Sequence, residues 1–242
     1  KHSSQTPAIG QHFEKAFRNM AGFKDLLQQI IIDHPTTGKI IEELSVQHVV
    51  FTGSVNGGHK ILEHTAKKFM QPQLELGGKD AAYVAEDADI EAAAAIVVDG
   101  AMFNSGQSCC GIERAYVHRK VYDAFINKSK QLIADYKLGD PLVETTNLGP
   151  LVTEKAARYA DEQVQAAVKS GAQVLAGGQI RQIAQAFFYE PTLIVGVKQN
   201  MDLMQEENFA PILPVMPVDS MDEAIGLVND SHYGLTSAIF TK

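Results

Sequence analysis

Apolar and polar residues along the chain alternate between two spacings, and each spacing predicts one kind of secondary structure. Apolar positions three and four residues apart are typical of amphipathic helices, whereas short apolar runs bounded by turn residues are typical of buried strands. The first spacing predicts helices near residues 6–20, 37–44, 55–69, 90–103, 121–136, 153–170 and 220–229. The second predicts strands near residues 26–32, 48–51, 73–76, 82–84, 112–117, 172–175, 191–197, 211–218 and 236–240.

Capping residues support several of these helix starts. Pro7 stands in the first turn of the first predicted helix, where its missing N–H costs nothing. Side chains that can accept a hydrogen bond from a first turn precede four later helices: Thr36 or Thr37, Asp89, Thr153 and Ser220. Ser220 is followed three residues later by Glu223, which predicts a capping box.

The order of the predicted elements indicates the fold class. Strands that alternate with helices of this length indicate βαβ units and a mostly parallel sheet. Gly77 and Gly78 interrupt the pattern after the strand at 73–76, and two glycines allow the chain to pivot. The sequence therefore predicts an α/β protein with two units that meet near residues 76–78.

Composition and charge exclude several classes of function. The chain has 242 residues, of which 45% are hydrophobic and 21% charged, so extensive disorder is not expected. Its formal net charge of −8 disfavours nucleic-acid and anionic-membrane partners. No apolar run is long enough for a transmembrane helix. Because the chain begins without Met and stops in a β-prone run at 238–240, we expect it to be part of a longer chain.

Cys109 and Cys110 are the only cysteines, and they are neighbours. Adjacent Cα atoms lie about 3.8 Å apart, below the usual ~4.4–6.8 Å of a disulfide, so a structural cross-link is not expected. A reducing, intracellular compartment follows, and we expect the cytoplasm. Neither the cysteines nor the eight histidines show metal-ligand spacing, so no metal is expected. The pair is therefore either a buried packing pair or contains a reactive thiol.

A glycine-rich turn, residues 51–58 (FTGSVNGG), follows a predicted strand and precedes a predicted helix. Free backbone amides and the positive end of a helix bind anions in this position. The glycine spacing matches neither the dinucleotide fingerprint nor the P-loop. Two interpretations therefore stay open, a phosphate-binding turn and a tight connection without a ligand.

Three more segments carry candidate chemistry: residues 74–79 (LELGGK), 103–110 (FNSGQSCC) and 206–211 (EENFAP). With the turn at 51–54 and the segments 138–141 (LGDP) and 148–150 (LGP), they resemble the aldehyde dehydrogenase superfamily, in its hydrolytic, semialdehyde-dehydrogenase-like form. In that family an E-L-G-G-K segment supplies a carboxylate base, and a G-Q-x-C segment 34 residues later supplies a thiol nucleophile. The same spacing separates Glu75 from Cys109.

The resemblance implies a fold, an activity and partners. It implies that residues 1–75 are the later part of a Rossmann-like NAD(P)-binding domain. Residues 76–242 would then form an α/β catalytic domain whose C-terminal part is missing. The implied activity is oxidation of a small-molecule aldehyde to a carboxylic acid with NAD or NADP. The intact protein would be a homodimer or homotetramer.

The same resemblance implies roles for particular residues. Cys109 would be the nucleophile and Glu75 the general base that activates water; members that pass the acyl group to coenzyme A usually lack this glutamate. Cys110 would be a packed neighbour and Lys79 a structural residue. The implied cofactor-binding residues are Lys1, Ser4, Gly53, Ser54, Gly58, Leu76, Glu207 and Phe209.

Two residues depart from the family pattern. Ala210 stands where the family usually has glycine, which casts doubt on the local turn. Ser4 stands where many NAD-preferring members have a glutamate, so a 2′-phosphate would not be repelled and we expect NADP to be tolerated. The rival interpretation is a non-catalytic fragment that binds the nucleotide without turning it over.

Overall fold

The computed structural model describes residues 1–20, 22 and 25–242. The chain packs into two compact units, Lys1–Leu76 and Gly77–Lys242. The assignment of cofactor binding to the first unit and catalysis to the second stays a prediction.

The first unit contains two parallel strands and the helices around them. Strand β1 pairs with β2 in parallel, with Phe51 opposite Leu74. The elements are α1 (Pro7–Arg18), α2 (His34–Glu43), β1 (Val50–Thr52), α3 (Val55–Ala66) and β2 (Gln73–Glu75). Helix α3 connects the two parallel strands, as the alternating pattern predicts.

The strand predicted at 26–32 is wrong, because the described residues 25–33 form no strand. The backbone N–H of Gln29 donates to the Glu14 carboxylate (3.2 Å), and its side-chain amide donates to the Pro7 carbonyl (2.7 Å). The Gln29 amide therefore has a side-chain acceptor on α1 instead of a neighbouring strand, and the Pro7 carbonyl holds the Gln29 side chain. The predicted cap at Thr36 or Thr37 is also wrong. Asp33 caps α2 and accepts from the Thr36 amide at 2.8 Å, which leaves Thr36 inside the helix.

The second unit, whose residues are all described, is built on a mixed sheet in the order β10-β3-β4-β9-β8-β5. All neighbouring pairs are parallel except β5 with β8. The strands are β3 (Asp80–Val84), β4 (Ile112–His118), β5 (Gln173–Ala176), β8 (Thr192–Val195), β9 (Ile212–Val218) and β10 (Ser237–Phe240). The predicted, mostly parallel sheet is confirmed.

Helices cover both faces of this sheet, as parallel sheets require. They are α4 (Ile90–Met102), α5 (Tyr122–Ala134), α6 (Glu154–Lys169), α7 (Asp202–Gln205) and α8 (Met221–Asn229). Alternate strand residues feed two separate cores: Tyr83 and Tyr116 belong to the core that contains α6, whereas Ala82 and Ala115 belong to the core that contains α4 and α5. The predicted caps Asp89, Thr153 and Ser220 all accept a hydrogen bond from the first turn of their helices.

A hairpin that the pattern does not predict joins β6 (Ile180–Ile183) to β7 (Ala186–Tyr189). Its turn contains no glycine or asparagine, the usual hairpin signal. Ala184 adopts the left-handed conformation instead, with φ 54°. None of the helices in the described part of the chain has the length and apolar character to cross a membrane.

Candidate active site

Three candidate segments of the second unit lie immediately before three neighbouring parallel strands. Residues 77–79 precede β3, residues 109–111 precede β4 and residues 206–211 precede β9. Because β3, β4 and β9 are adjacent and parallel, their amino ends share one edge of the sheet. The fold therefore brings together the glycine pair, the cysteines and the E-E-N-F-A-P segment.

The chain enters this edge through a short 3₁₀ turn, Phe103–Gly106, in an unusual conformation. Asn104, Ser105 and Gly106 are consecutively left-handed, with φ of 52°, 59° and 71°. Non-glycine residues pay a steric cost there, so surrounding contacts have to hold them. The buried Ser105 hydroxyl donates to the Gly149 carbonyl at 2.8 Å and provides one such contact.

Gln107 connects the same turn to the loop at 149–152. Its side-chain nitrogen donates to the Pro150 carbonyl (3.2 Å), and its side-chain oxygen accepts from the Val152 amide (2.9 Å). Both ends of the amide are therefore used. The glutamine of the G-Q-x-C segment thus orients the backbone two residues before Cys109.

Two close backbone approaches require glycine at this edge. A Cβ atom on Gly106 would lie 2.1 Å from the Ala210 carbonyl oxygen, and one on Gly78 would lie 2.2 Å from the Cys109 carbonyl oxygen. Neither backbone can yield as a flexible side chain would. The segments that carry Cys109, Gly78 and Ala210 are therefore in direct backbone contact.

Both cysteines are free; Cys109 is half-buried and Cys110 is exposed. The Ser108 hydroxyl lies 3.4 Å from the Cys110 sulfur. Burial raises the pKa of the Cys109 thiol, and the neighbouring Cys110 adds to the shift. The thiolate therefore needs a base or a bound partner to form near neutral pH.

The raised pKa predicts how the alkylation rate of Cys109 depends on pH. In a Cys110→Ala variant, the rate with iodoacetamide should rise with pH to a midpoint above that of a free cysteine, about 8.5. The sign follows because burial disfavours the charged thiolate, which is the reactive form. The reaction is quenched at successive times, and mass spectrometry gives the fraction of protein alkylated at each pH. The same series with N-acetylcysteine gives the reference midpoint. A midpoint below that of N-acetylcysteine would contradict the burial effect.

Glu207 and Phe209 lie beside the glycine pair and the cysteine segment. A Glu207 carboxylate oxygen accepts from the Gly78 amide at 3.0 Å. A Cβ atom on Gly77 would lie 2.4 Å from the other oxygen. Burial raises the pKa of Glu207, an effect that the Gly78 hydrogen bond opposes. Phe209 is left-handed, with φ 49°, and its side chain remains 38% exposed at this edge.

Sequence reasoning missed Glu113, a buried carboxylate that holds the Glu207 segment. It pairs with the buried Lys79 ammonium at 2.7 Å and accepts from the amides of Asn208 (2.8 Å) and Phe209 (3.0 Å). Glu113 and Arg114 were the available signal, because two charges in an otherwise apolar strand need buried partners. Lys79 has the structural role expected for it.

The departure at Ala210 does not disturb the turn. The left-handed position of this segment is Phe209, not Ala210. Ala210 is buried, and its amide donates to the Asn208 side-chain oxygen at 3.1 Å. The methyl group at this position therefore has space, and the backbone does not require glycine there.

In the first unit, the glycine-rich turn packs against the residues that end β2. The Gly53 amide donates to the Glu75 carbonyl at 3.0 Å, and Leu76 methyl groups lie 2.8–2.9 Å from where a Gly58 Cβ would be. Ser54 caps α3 by accepting from the Gly57 amide at 3.1 Å. Five of the predicted residues, Gly53, Ser54, Gly58, Glu75 and Leu76, thus lie together.

The start of α3 presents two backbone amides that have no acceptor within the described part of the protein. Across the described residues, the Val55 and Asn56 amides donate to no backbone or side-chain acceptor. Such amides at the positive end of a helix bind anions. Lys1 and Ser4 are exposed, and in the described structure neither donates to this turn; Lys1 donates to the His2 carbonyl at 3.3 Å. The described residues contain no cluster of three or more metal-binding side chains.

Comparison with known proteins gives consistent matches. The pattern of the family described as "Aldehyde dehydrogenase family" matches residues 1–242. Lactaldehyde dehydrogenase of Escherichia coli is 41% identical over 81% of this chain and 41% of its own length. D-glyceraldehyde dehydrogenase (NADP(+)) of Picrophilus torridus is 37% identical over the whole chain and 50% of its own length. The structure of putative aldehyde dehydrogenase PutA from Anabaena variabilis superposes with a TM-score of 0.93 at 35% identity, covering 99% of this chain and 51% of that one.

Proposed function

The chain belongs to the aldehyde dehydrogenase family, and from that premise we propose that the protein oxidises an aldehyde to a carboxylic acid with NAD or NADP. The chain spans about half the length of the curated relatives it matches. The observation that carries the proposal is the position of Cys109, a free, half-buried thiol whose backbone carbonyl packs against Gly78 and whose preceding turn packs, at Gly106, against the Ala210 carbonyl.

The first step in the proposed mechanism is attack of the Cys109 thiolate on the aldehyde carbon. The new C–S bond gives a tetrahedral thiohemiacetal whose oxygen carries the negative charge. The Cys109 amide has no backbone acceptor in the fully described second unit, and in this proposal it would donate to that oxyanion. The raised thiol pKa means that the proton has to leave before or during attack.

The predicted cofactor-binding residues would have separate roles. A bound nicotinamide would supply the hydride acceptor, and loss of hydride from the thiohemiacetal carbon would leave a thioester on Cys109. The free amides at the start of α3 would hold the pyrophosphate. The Glu207 carboxylate would accept from ribose hydroxyls, and Phe209, exposed at the edge, would pack against the nicotinamide.

The thioester then needs water, and Glu75 would act as its general base. Glu75 takes a proton from water, the hydroxyl attacks the acyl carbon, the C–S bond breaks and the thiolate leaves as the free acid forms. No resident metal is needed for any of these steps.

A Glu75→Gln variant should separate the two halves of this reaction. Gln keeps the shape but cannot take a proton, so turnover should fall about 10²-fold. Thioester formation should continue, giving one equivalent of reduced cofactor in a rapid burst. Stopped-flow absorbance of the reduced cofactor measures the burst, with the enzyme above micromolar concentration so that one equivalent is visible. The conservative Glu75→Asp variant is the control. Loss of the burst together with turnover would assign Glu75 to the first half instead.

Ser4 predicts the cofactor preference. Without a carboxylate that would repel a 2′-phosphate, NADP should be used with a kcat/KM within about tenfold of that for NAD. The NADP(+) in the name of the Picrophilus torridus relative supports this expectation. A Ser4→Glu variant should lower kcat/KM for NADP more than for NAD. Strict NAD preference in the unaltered protein would contradict the expectation that NADP is used.

The proposed activity is tested with a panel of aldehydes on the full protein. Reduced cofactor and carboxylic acid should form in equal amounts. Cofactor binding without any reduction would favour the rival function, a nucleotide-binding protein that does not turn over its ligand.

We further propose a homodimer or homotetramer in the cytoplasm, to be checked by light scattering and by fractionation.

A further inference from the structure

We propose that Glu113 is a positioning residue that sets Glu207 and Phe209 for the dinucleotide, an inference that rests on the proposed function. Glu113 lies on β4, four residues after Cys109. One carboxylate oxygen accepts from the Lys79 ammonium and the Asn208 amide, at 2.7 and 2.8 Å. The other accepts from the Phe209 amide at 3.0 Å. A single buried group thus joins the three segments that meet at the sheet edge.

The contacts of Glu113 flank the residue they would position. Glu207 immediately precedes the two amides that Glu113 holds, and Phe209 carries one of them. Phe209 is left-handed, a conformation that a phenylalanine keeps only when its surroundings impose it. Glu207 is held from its other side by the Gly78 amide. Without Glu113, the segment 206–210 would therefore lose the contact that fixes its backbone.

Only a carboxylate meets these requirements. Two neighbouring amides and an ammonium group present donors alone, so the group between them has to accept from all three. A glutamine at position 113 would place its NH₂ group against one donor, and an apolar residue would leave both amides buried without acceptors. Lys79, itself fully buried, supplies the charge that makes the buried carboxylate tolerable. Arg114 also holds the Lys79 segment against β4 by donating to the Lys79 carbonyl at 2.9 Å.

The test removes both charges together, so that no unpaired charge is left in the core. Glu113→Gln alone should unfold readily, because it strands the Lys79 ammonium. The double variant Lys79→Met/Glu113→Gln should still fold, with a thermal midpoint slightly below that of the unaltered protein, because the glutamine leaves one amide of the segment without an acceptor. The matched control is Arg119→Met/Asp219→Asn, which removes an ion pair that is exposed on both sides.

Three measurements on the full protein distinguish positioning from simple support of the fold. Hydrogen exchange of segment 206–210 should speed up about tenfold in the double variant, as expected for loss of one hydrogen bond, and stay unchanged in the control. The dissociation constants for NAD and NADP, from calorimetric titration, should rise at least about tenfold in the double variant only. The alkylation rate of Cys109 without cofactor should stay unchanged.

The outcomes separate this assignment from the proposed function. A folded double variant that binds NAD and NADP as tightly as the unaltered protein would overturn the positioning role and leave the proposed function intact. Unchanged exchange of segment 206–210 would overturn it as well. Failure of the unaltered protein to bind either dinucleotide would overturn the proposed function and this assignment together.

Discussion

Replacement of Cys109 by alanine should reduce aldehyde oxidation by at least about 10³-fold, the largest effect expected of any single change. The proposed chemistry has no other route to a covalent intermediate, since both the thiohemiacetal and the thioester form on this sulfur. Alanine fills the half-buried site without adding strain, so the free energy of unfolding should change by less than about 1 kcal/mol. Initial rates of cofactor reduction with the best aldehyde of the panel measure the loss.

The neighbouring thiol provides the matched control. Cys110 is exposed, contacts the Ser108 hydroxyl and plays no part in the proposed steps. A Cys110→Ala variant should therefore keep its rate within about threefold. Mass spectrometry under turnover should find the acyl group on the peptide that contains Cys109. Full activity in Cys109→Ala, or an acyl group on Cys110, would defeat the mechanism.

Replacement of Gly106 by alanine should lower the free energy of unfolding by about 2–5 kcal/mol. A left-handed alanine costs about 1–2 kcal/mol, and forcing a methyl group into a packed backbone costs about 1–3 more. Gly106 has φ 71°, and its Cβ would lie 2.1 Å from the Ala210 carbonyl oxygen. The Ala210 segment would have to move, so cofactor affinity should fall as well. Urea denaturation and calorimetric titration give the two quantities.

Substitutions at two other glycines separate the free-energy cost of the left-handed conformation from the cost of packing. Gly171 is left-handed with φ 103° but has open space around its Cβ, so Gly171→Ala should cost only about 1–2 kcal/mol. Gly226 lies inside α8 with open space and an ordinary φ, so Gly226→Ala should stabilise by about 0.5–1 kcal/mol. Neither change should affect cofactor affinity. Equal losses at Gly106 and Gly171 would show that the contact with Ala210 contributes nothing.

Elements with strong local signals were predictable from sequence. Asp89, Thr153 and Ser220 mark helix starts because capping is decided by residues within one turn. The strand predicted at 26–32 failed because an apolar run does not reveal what satisfies its backbone. Here Glu14 and the Pro7 carbonyl, both on α1, supply the partners of Gln29. The hairpin at 180–189 escaped prediction because Ala184 takes a conformation that sequence usually marks with glycine or asparagine.

Some residues of the candidate site were also predictable from sequence, and others were not. Cys109, Glu75, Glu207 and the glycine-rich turn could be proposed because they lie in motifs with characteristic spacing. Their roles remain predictions. Glu113 stood out only as a charge in an apolar strand, and its partners could not be proposed, because Lys79 and Phe209 lie 34 residues before it and 96 residues after it in the chain. Only the adjacency of β3, β4 and β9 brings such distant residues together, and spacing along the chain does not encode that adjacency.

The pairing of β3 with β10 affects how the protein is made. Residues 81–84 pair with residues 237–240, so one side of a fully buried strand has to wait for a partner about 156 residues later. At typical synthesis rates of ~5–20 residues per second, that wait lasts roughly 10–30 s on the ribosome. During this time an apolar strand edge is open to pairing with other chains. We therefore expect the yield of folded protein to increase when chaperones that cover the open strand edge accompany translation.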